Sequence, residues 1–122
     1  MKKLIGIKIL AATLIIFSLA SDSLAQTRIT FARGRTSKTL SGTLAAGGAR
    51  SYVIRLSIDQ TFTVDVSSGN DEISIKVRDV HGSFNEEFGS FETTTDANGD
   101  HYITIRNTGR RSTRFTMTVS AY

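Results

Sequence analysis

From residue 51 onward the chain alternates apolar and polar side chains with a period of two, in run after run. This feature constrains its fold more than any other. In "SYVIRLSI" the positions Tyr52, Ile54, Leu56 and Ile58 share one face. "TFTVDVS" repeats the pattern with Phe62, Val64 and Val66, and "EISIKVRDV" with Ile73, Ile75 and Val77. "DHYITIRN" sets His101, Ile103 and Ile105 against Tyr102, Thr104 and Arg106, while "RFTMTVSAY" sets Phe115, Met117, Val119 and Ala121 against Arg114, Thr116 and Thr118. Successive side chains of a strand point to opposite faces, so each run predicts a strand with one buried face. The abundant Val, Ile and Thr agree, because β-branched side chains suit a pleated surface.

Turn chemistry separates the runs: "AAGGA" at 45–49, "SSGND" at 67–71, "VHGS" at 80–83, "DANGD" at 96–100 and "NTGR" at 107–110. Weaker strands are expected at 27–31, 37–44 and 88–95, and no segment after residue 25 has a helical period. Short strands at this spacing predict an all-β protein, an antiparallel sandwich or barrel of about eight strands. The chain has no cysteine and no proline. Stability must then come from packing and from the sheet ladders, and thiol catalysis and thiolate metal sites are excluded.

The first residues read differently. Lys2, Lys3 and Lys8 flank an apolar run that ends in "SDSLAQ". A basic start, an apolar stretch and small residues at Ser23 and Ala25 predict a secretory signal over 1–25, cleaved before Gln26. The unbroken apolar part is short for a span of roughly 20 residues, so no membrane attachment is expected after cleavage. What remains, Gln26 to Tyr122, is the length of one domain. It carries twelve basic and ten acidic residues, a net of +2 that is too small to suggest nucleic acid. The charges fall in blocks. The segments before Leu56 and after Asp100 are basic, the middle one is acidic, and the ends of the chain form one basic patch if their strands meet.

The runs "SGTLAAGGARSYVIRLSIDQTFTVDVSS", "EISIKVRDVHGS" and "GDHYITIRNTGRRSTRFTMTVSA" together resemble the bacterial pre-peptidase C-terminal domain. The matching positions are Ser41, Gly42, Leu44, Tyr52, Gln60, Gly82, Gly99, Asp100 and Phe115. His101 stands where an inward Tyr is usual, and "DVHG" replaces an acidic turn. The resemblance implies a jelly-roll β-sandwich. A signal-bearing, domain-length member of this kind looks like the periplasmic inhibitors of goose-type lysozyme, which implies an exported, monomeric, non-enzymatic protein whose partner is that lysozyme.

The candidate site residues follow from chemistry and from this resemblance. "RNTGRRSTRF" places Arg106, Arg110, Arg111 and Arg114 around Gly109. Arginine forks donate paired hydrogen bonds to carboxylates, so Arg110 and Arg111 at the tip of a last hairpin suit an acidic lysozyme cleft. The other reading is an ordinary turn with solvated arginines. Ser41 and Gly42 either meet a partner through the Ser hydroxyl or mark a strand bulge with Ser41 exposed. Asp96, Asn98 and Asp100 have the spacing of calcium ligands but lack the loop length of an EF-hand, so a polar turn is the expectation and no cofactor is implied. Phe84, Phe88 and Phe91, beside Glu86, Glu87 and Glu92, are expected in the core; an alternative is a carbohydrate-binding module with a stacking platform there, and another is an accessory domain. No nucleophile motif or histidine-rich metal signature occurs, and Glu86 and Glu87 point to opposite faces of a strand.

Overall fold

Every alternating run becomes a strand. The computed structural model describes Gln26 to Tyr122, and the segment read as a signal, 1–25, lies outside the described residues. Nine strands follow in order: β1 (Gln26–Ile29), β2 (Ser37–Leu44), β3 (Ala49–Leu56), β4 (Thr61–Ser68), β5 (Ile73–Arg78), β6 (Phe84–Phe88), β7 (Ser90–Thr94), β8 (Gly99–Asn107) and β9 (Thr113–Ala121). They form a β-sandwich. One sheet has the order β1-β3-β8-β5-β6 and the other β2-β9-β4-β7.

The chain changes sheet at almost every connection. Among the described residues, β5 and β6 are the sole consecutive strands that pair with each other. Most neighbours are therefore distant in sequence, such as β2 with β9 and β3 with β8. One pair departs from the expected antiparallel arrangement: β1 runs parallel to β3.

Between the sheets lie the inward faces that the alternation predicts. Phe62, Val64, Ile75, Ile103, Ile105, Met117 and Val119 are completely buried. Each such side chain contributes about 1.5 to 3 kcal/mol relative to exposure. Phe62 meets Phe91 edge-on with ring centroids 6.3 Å apart, and the His101 ring lies 6.1 Å from Phe62 at a tilt. His101 is inward, as its phase predicts, and its Nδ1 is 3.2 Å from the Gly99 carbonyl.

Three local expectations are corrected. Ile58 is 49% exposed, because β3 ends at Leu56 and the chain turns through Asp59 at φ 64°. Phe84 and Phe88 are 59% and 61% exposed on a separate edge strand, while Phe91 alone of the three joins the core at 6%. Gly89, at φ 81°, separates β6 from β7, so the chain leaves one sheet and enters the other there. Finally, Gly42 is not at a bulge: the β2–β9 register runs unbroken from Ser37↔Ser120 to Leu44↔Thr113.

Candidate functional site

Three connections converge at one end of the sandwich: 45–48 after β2, 69–72 after β4 and 108–112 after β8. Asn107, the last residue of β8 and fully buried, binds all three. Its Nδ2 donates to the Leu44, Ala45 and Arg111 carbonyls at 3.2, 3.3 and 2.7 Å. Its Oδ1 accepts from Asn70 Nδ2 at 3.1 Å and from the Gly109 N–H at 2.9 Å. Its backbone completes the set by pairing with Gly47 and Gly48 at 2.9 Å each. The Thr108 N–H and hydroxyl both donate to the Glu72 carbonyl at 2.8 Å. Gly109 suits this knot, since an added Cβ would lie 2.7 Å from Asn70 Nδ2 and push on the amides that make it. The "NTG" that reads in sequence as a plain turn is a locked platform.

Arg110 and Arg111 are exposed on that platform. They do not sit on a hairpin, because β8 and β9 belong to different sheets and the segment between them arches across the end of the sandwich. The ion pairs among the described residues are Arg28–Asp100 and His81–Asp96, so neither loop arginine has an acid within the 4.0 Å of an ion pair. Arg106 points away from them, on the outer face of the five-stranded sheet, and donates to the Gly47 carbonyl at 2.9 Å. Its place is as a strut for the 45–48 turn.

Ser41 is exposed on the outer face of β2, opposite Thr116 of β9. An open groove of about 360 Å³ runs beside it, lined by Ser41, Gly42, Ser67, Ser68, Gly69, Arg114, Phe115 and Thr116. The structure thus joins Ser41 and Gly42 to Arg114 and not to Arg106, and Arg110 and Arg111 lie outside this groove. Ser67 and Ser68 are residues that the sequence did not single out, and Arg114 was read with the arginines around Gly109 and not with Ser41. Their signal was the polar phase of β4 and β9, which is visible, but the pairing that gathers them is not local.

Gly42 has a packing reason. A Cβ there would clash with the Arg50 guanidinium at 2.3 Å and press on Phe115 at 3.2 Å. Arg50 instead lies over the Phe115 ring, 5.5 Å from its centroid, and donates to the Thr43 carbonyl at 3.1 Å. Arg50, Arg106, Arg110, Arg111 and Arg114 therefore gather at or beside one end, with Asp71 and Glu72 as the acids of its loops. The basic blocks meet only in part. Lys38 starts β2 at the opposite end, and Arg28 is paired with Asp100 at 3.0 Å.

The remaining candidates have separate engagements. Asp100 accepts both Nη groups of Arg28, Asn98 Oδ1 accepts the Ile58 N–H at 2.8 Å, and Asp96 faces His81 Nε2 at 3.6 Å. Among the described residues no three His, Asp or Glu side chains converge as a metal site would need.

A two-sheet β-sandwich with a locked, arginine-bearing loop end is the class this fold and site define. No family model matches the chain, and no curated protein matches its sequence. Solved structures do match. A periplasmic inhibitor of g-type lysozyme, PliG from Aeromonas hydrophila, superposes with a TM-score of 0.68 at 19% identity, over 80% of this chain and 96% of that one. PliG from Salmonella Typhimurium gives 0.58 at 14% identity, over 80% and 97%. The pre-peptidase C-terminal domain of a Bacillus anthracis collagenase gives 0.54 at 12% identity, over 80% and 95%. The chain has the fold of the two groups that its sequence resembles.

Proposed function

We propose that this chain is an exported, non-enzymatic binding protein that inhibits goose-type lysozyme in the periplasm. The observation that carries this reading is the pair Arg110 and Arg111, exposed and without acid partners among the described residues, on an arch whose backbone is held by buried Asn107. A lysozyme cleft holds catalytic carboxylates. Two weakly hydrated guanidinium forks on a fixed support meet such a cleft at low entropic cost, since the loop does not have to be ordered on binding. The groove at Ser41 and Arg114 supplies a second contact beside the arch, and Arg106 acts indirectly by holding the 45–48 turn. The inhibitor-like fold is consistent with this use, although the fold alone does not assign it.

Titration calorimetry with a goose-type lysozyme tests the proposal. Binding should be one to one, and Arg110→Ala/Arg111→Ala should weaken it by at least about 30-fold, the equivalent of about 2 kcal/mol lost with an interfacial charge pair. Unchanged affinity in that variant would remove the arch from the interface.

A further inference from the structure

The outer face of the five-stranded sheet carries a second surface, far in sequence from the arch. The register places Val53, Tyr102, Arg78 and Phe84 in one row across β3, β8, β5 and β6; Val53 is buried, and Tyr102, Arg78 and Phe84 reach solvent. The next row holds Thr104, Lys76 and Glu86. The Arg78 guanidinium lies 4.5 Å from the Tyr102 ring centroid, and Lys76 Nζ lies 4.5 Å from that of Phe84. Neither cation is in an ion pair among the described residues. Between them opens a shallow groove of about 320 Å³, lined also by Thr104 and Gln26. Phe88, 61% exposed, extends the same face along β6, opposite Ser74.

We propose that this face binds a carboxylate-bearing glycan. The aromatic rings present apolar area to the C–H faces of sugars, and the Thr104 hydroxyl and Gln26 amide offer the donors and acceptors that sugar hydroxyls need. Lys76 and Arg78 supply the charge complement to carboxylates. Phe84 and Tyr102 stand two strands apart, about 9.6 Å, so a bound chain spans more than one ring. Glu86, opposite Lys76, is the acid of this row and disfavours a ligand with a phosphate at every step. That weighs against a single nucleic-acid strand, as does the small net charge. The surface is independent of the lysozyme proposal, since Lys76, Arg78 and Phe84 do not belong to the arch or to the groove at Ser41.

Affinity electrophoresis in gels containing polygalacturonate tests this, with dextran as the neutral control and a thymidine oligonucleotide as a competitor, at about 0.15 M salt to suppress loose ion exchange. The protein should be retarded by polygalacturonate and not by dextran. Phe84→Ala and Lys76→Gln/Arg78→Gln should each reduce the retardation at least about fivefold, and Arg110→Ala/Arg111→Ala should keep it, because each substitution removes groups of only one surface. The mutated side chains are solvent-facing, and cooperative melting of each variant checks that it is folded. Absence of retardation overturns the proposal. So does equal retardation by the variants, retardation by dextran, or displacement by the oligonucleotide at lower concentration than by free oligogalacturonate.

Discussion

Asn107→Ala removes the amide that ties three loops together, and its cost can be worked from the partners left behind. The Gly109 N–H and the Leu44 carbonyl belong to buried residues, so water does not replace the lost bond there without rearrangement. The Arg111 and Ala45 carbonyls belong to exposed residues and are readily resolvated. Two buried groups at about 1 to 3 kcal/mol each put the loss at about 2 to 6 kcal/mol. For a domain of this size that is a fall in melting temperature on the order of 10 °C or more. Asn107→Asp refines the test. Its carboxylate keeps the acceptor for Gly109 but turns a second oxygen toward the Leu44 and Arg111 carbonyls, so the folded protein should hold that carboxyl above its ordinary range. A raised carboxyl binds its proton more tightly in the folded state, so the Asp variant should be stabler when acidified and lose that stability as pH rises through the raised value. Urea denaturation followed across pH reads both effects, and amide exchange at Gly47 and Gly109 locates them. A loss below about 0.5 kcal/mol in Asn107→Ala, typical of an ordinary surface site, would refute the claim that this residue organises the end of the sandwich.

Two further outcomes follow from the fold. The Arg28 guanidinium, hydrogen-bonded to Asp100, holds that carboxyl below the usual range. A depressed carboxyl gives stability that is present above its unfolded value and is lost as pH falls through the folded one, so acidification should free β1, which Asp100 helps hold through Arg28. Amide exchange at Ile29 should accelerate in acid in the wild type relative to the trend of Asp100→Asn; identical pH trends in the two proteins would count against the clamp. The phenylalanines should divide by environment: Phe91→Ala, which empties a core position against Phe62, should cost about 3 to 5 kcal/mol, whereas Phe88→Ala should stay within about 0.5 kcal/mol. Denaturant midpoints compare the pair, and similar losses would mean that β6 is packed in solution.

Much of the sandwich was legible because alternation depends on the burial of one face. Tyr52, Ile54, Phe62, Val64, Ile103, Met117 and Val119 lie inward as their phase dictates. β6 was missed because neither of its faces is buried, so "FNEEF" carries no alternation to read. The neighbouring phenylalanines mislead for the same reason: hydrophobicity marks Phe84 and Phe88 as core, but β6 is an edge strand exposed along its whole length. At the candidate site, arginine chemistry drew attention to Arg110 and Arg111. The β2–β9 register that sets Arg114 beside Ser41, and the three-loop knot at Asn107, come from contacts between residues some 35 to 75 positions apart and leave no local pattern. The hairpin expected at 107–113 fails on the same point, since two adjacent runs joined by a glycine turn read alike whether they pair or face each other across a core.

Inhibition is tested most directly by the lytic activity of a goose-type lysozyme on cell walls, titrated with the chain from Gln26 to Tyr122 and with its Arg110→Ala/Arg111→Ala variant, using chicken-type lysozyme as the control. Dose-dependent loss of goose-type activity that the folded double variant fails to produce, with the chicken-type enzyme unaffected, is the predicted result. Full lysis at saturating protein, or equal inhibition by the wild type and the variant, would contradict it.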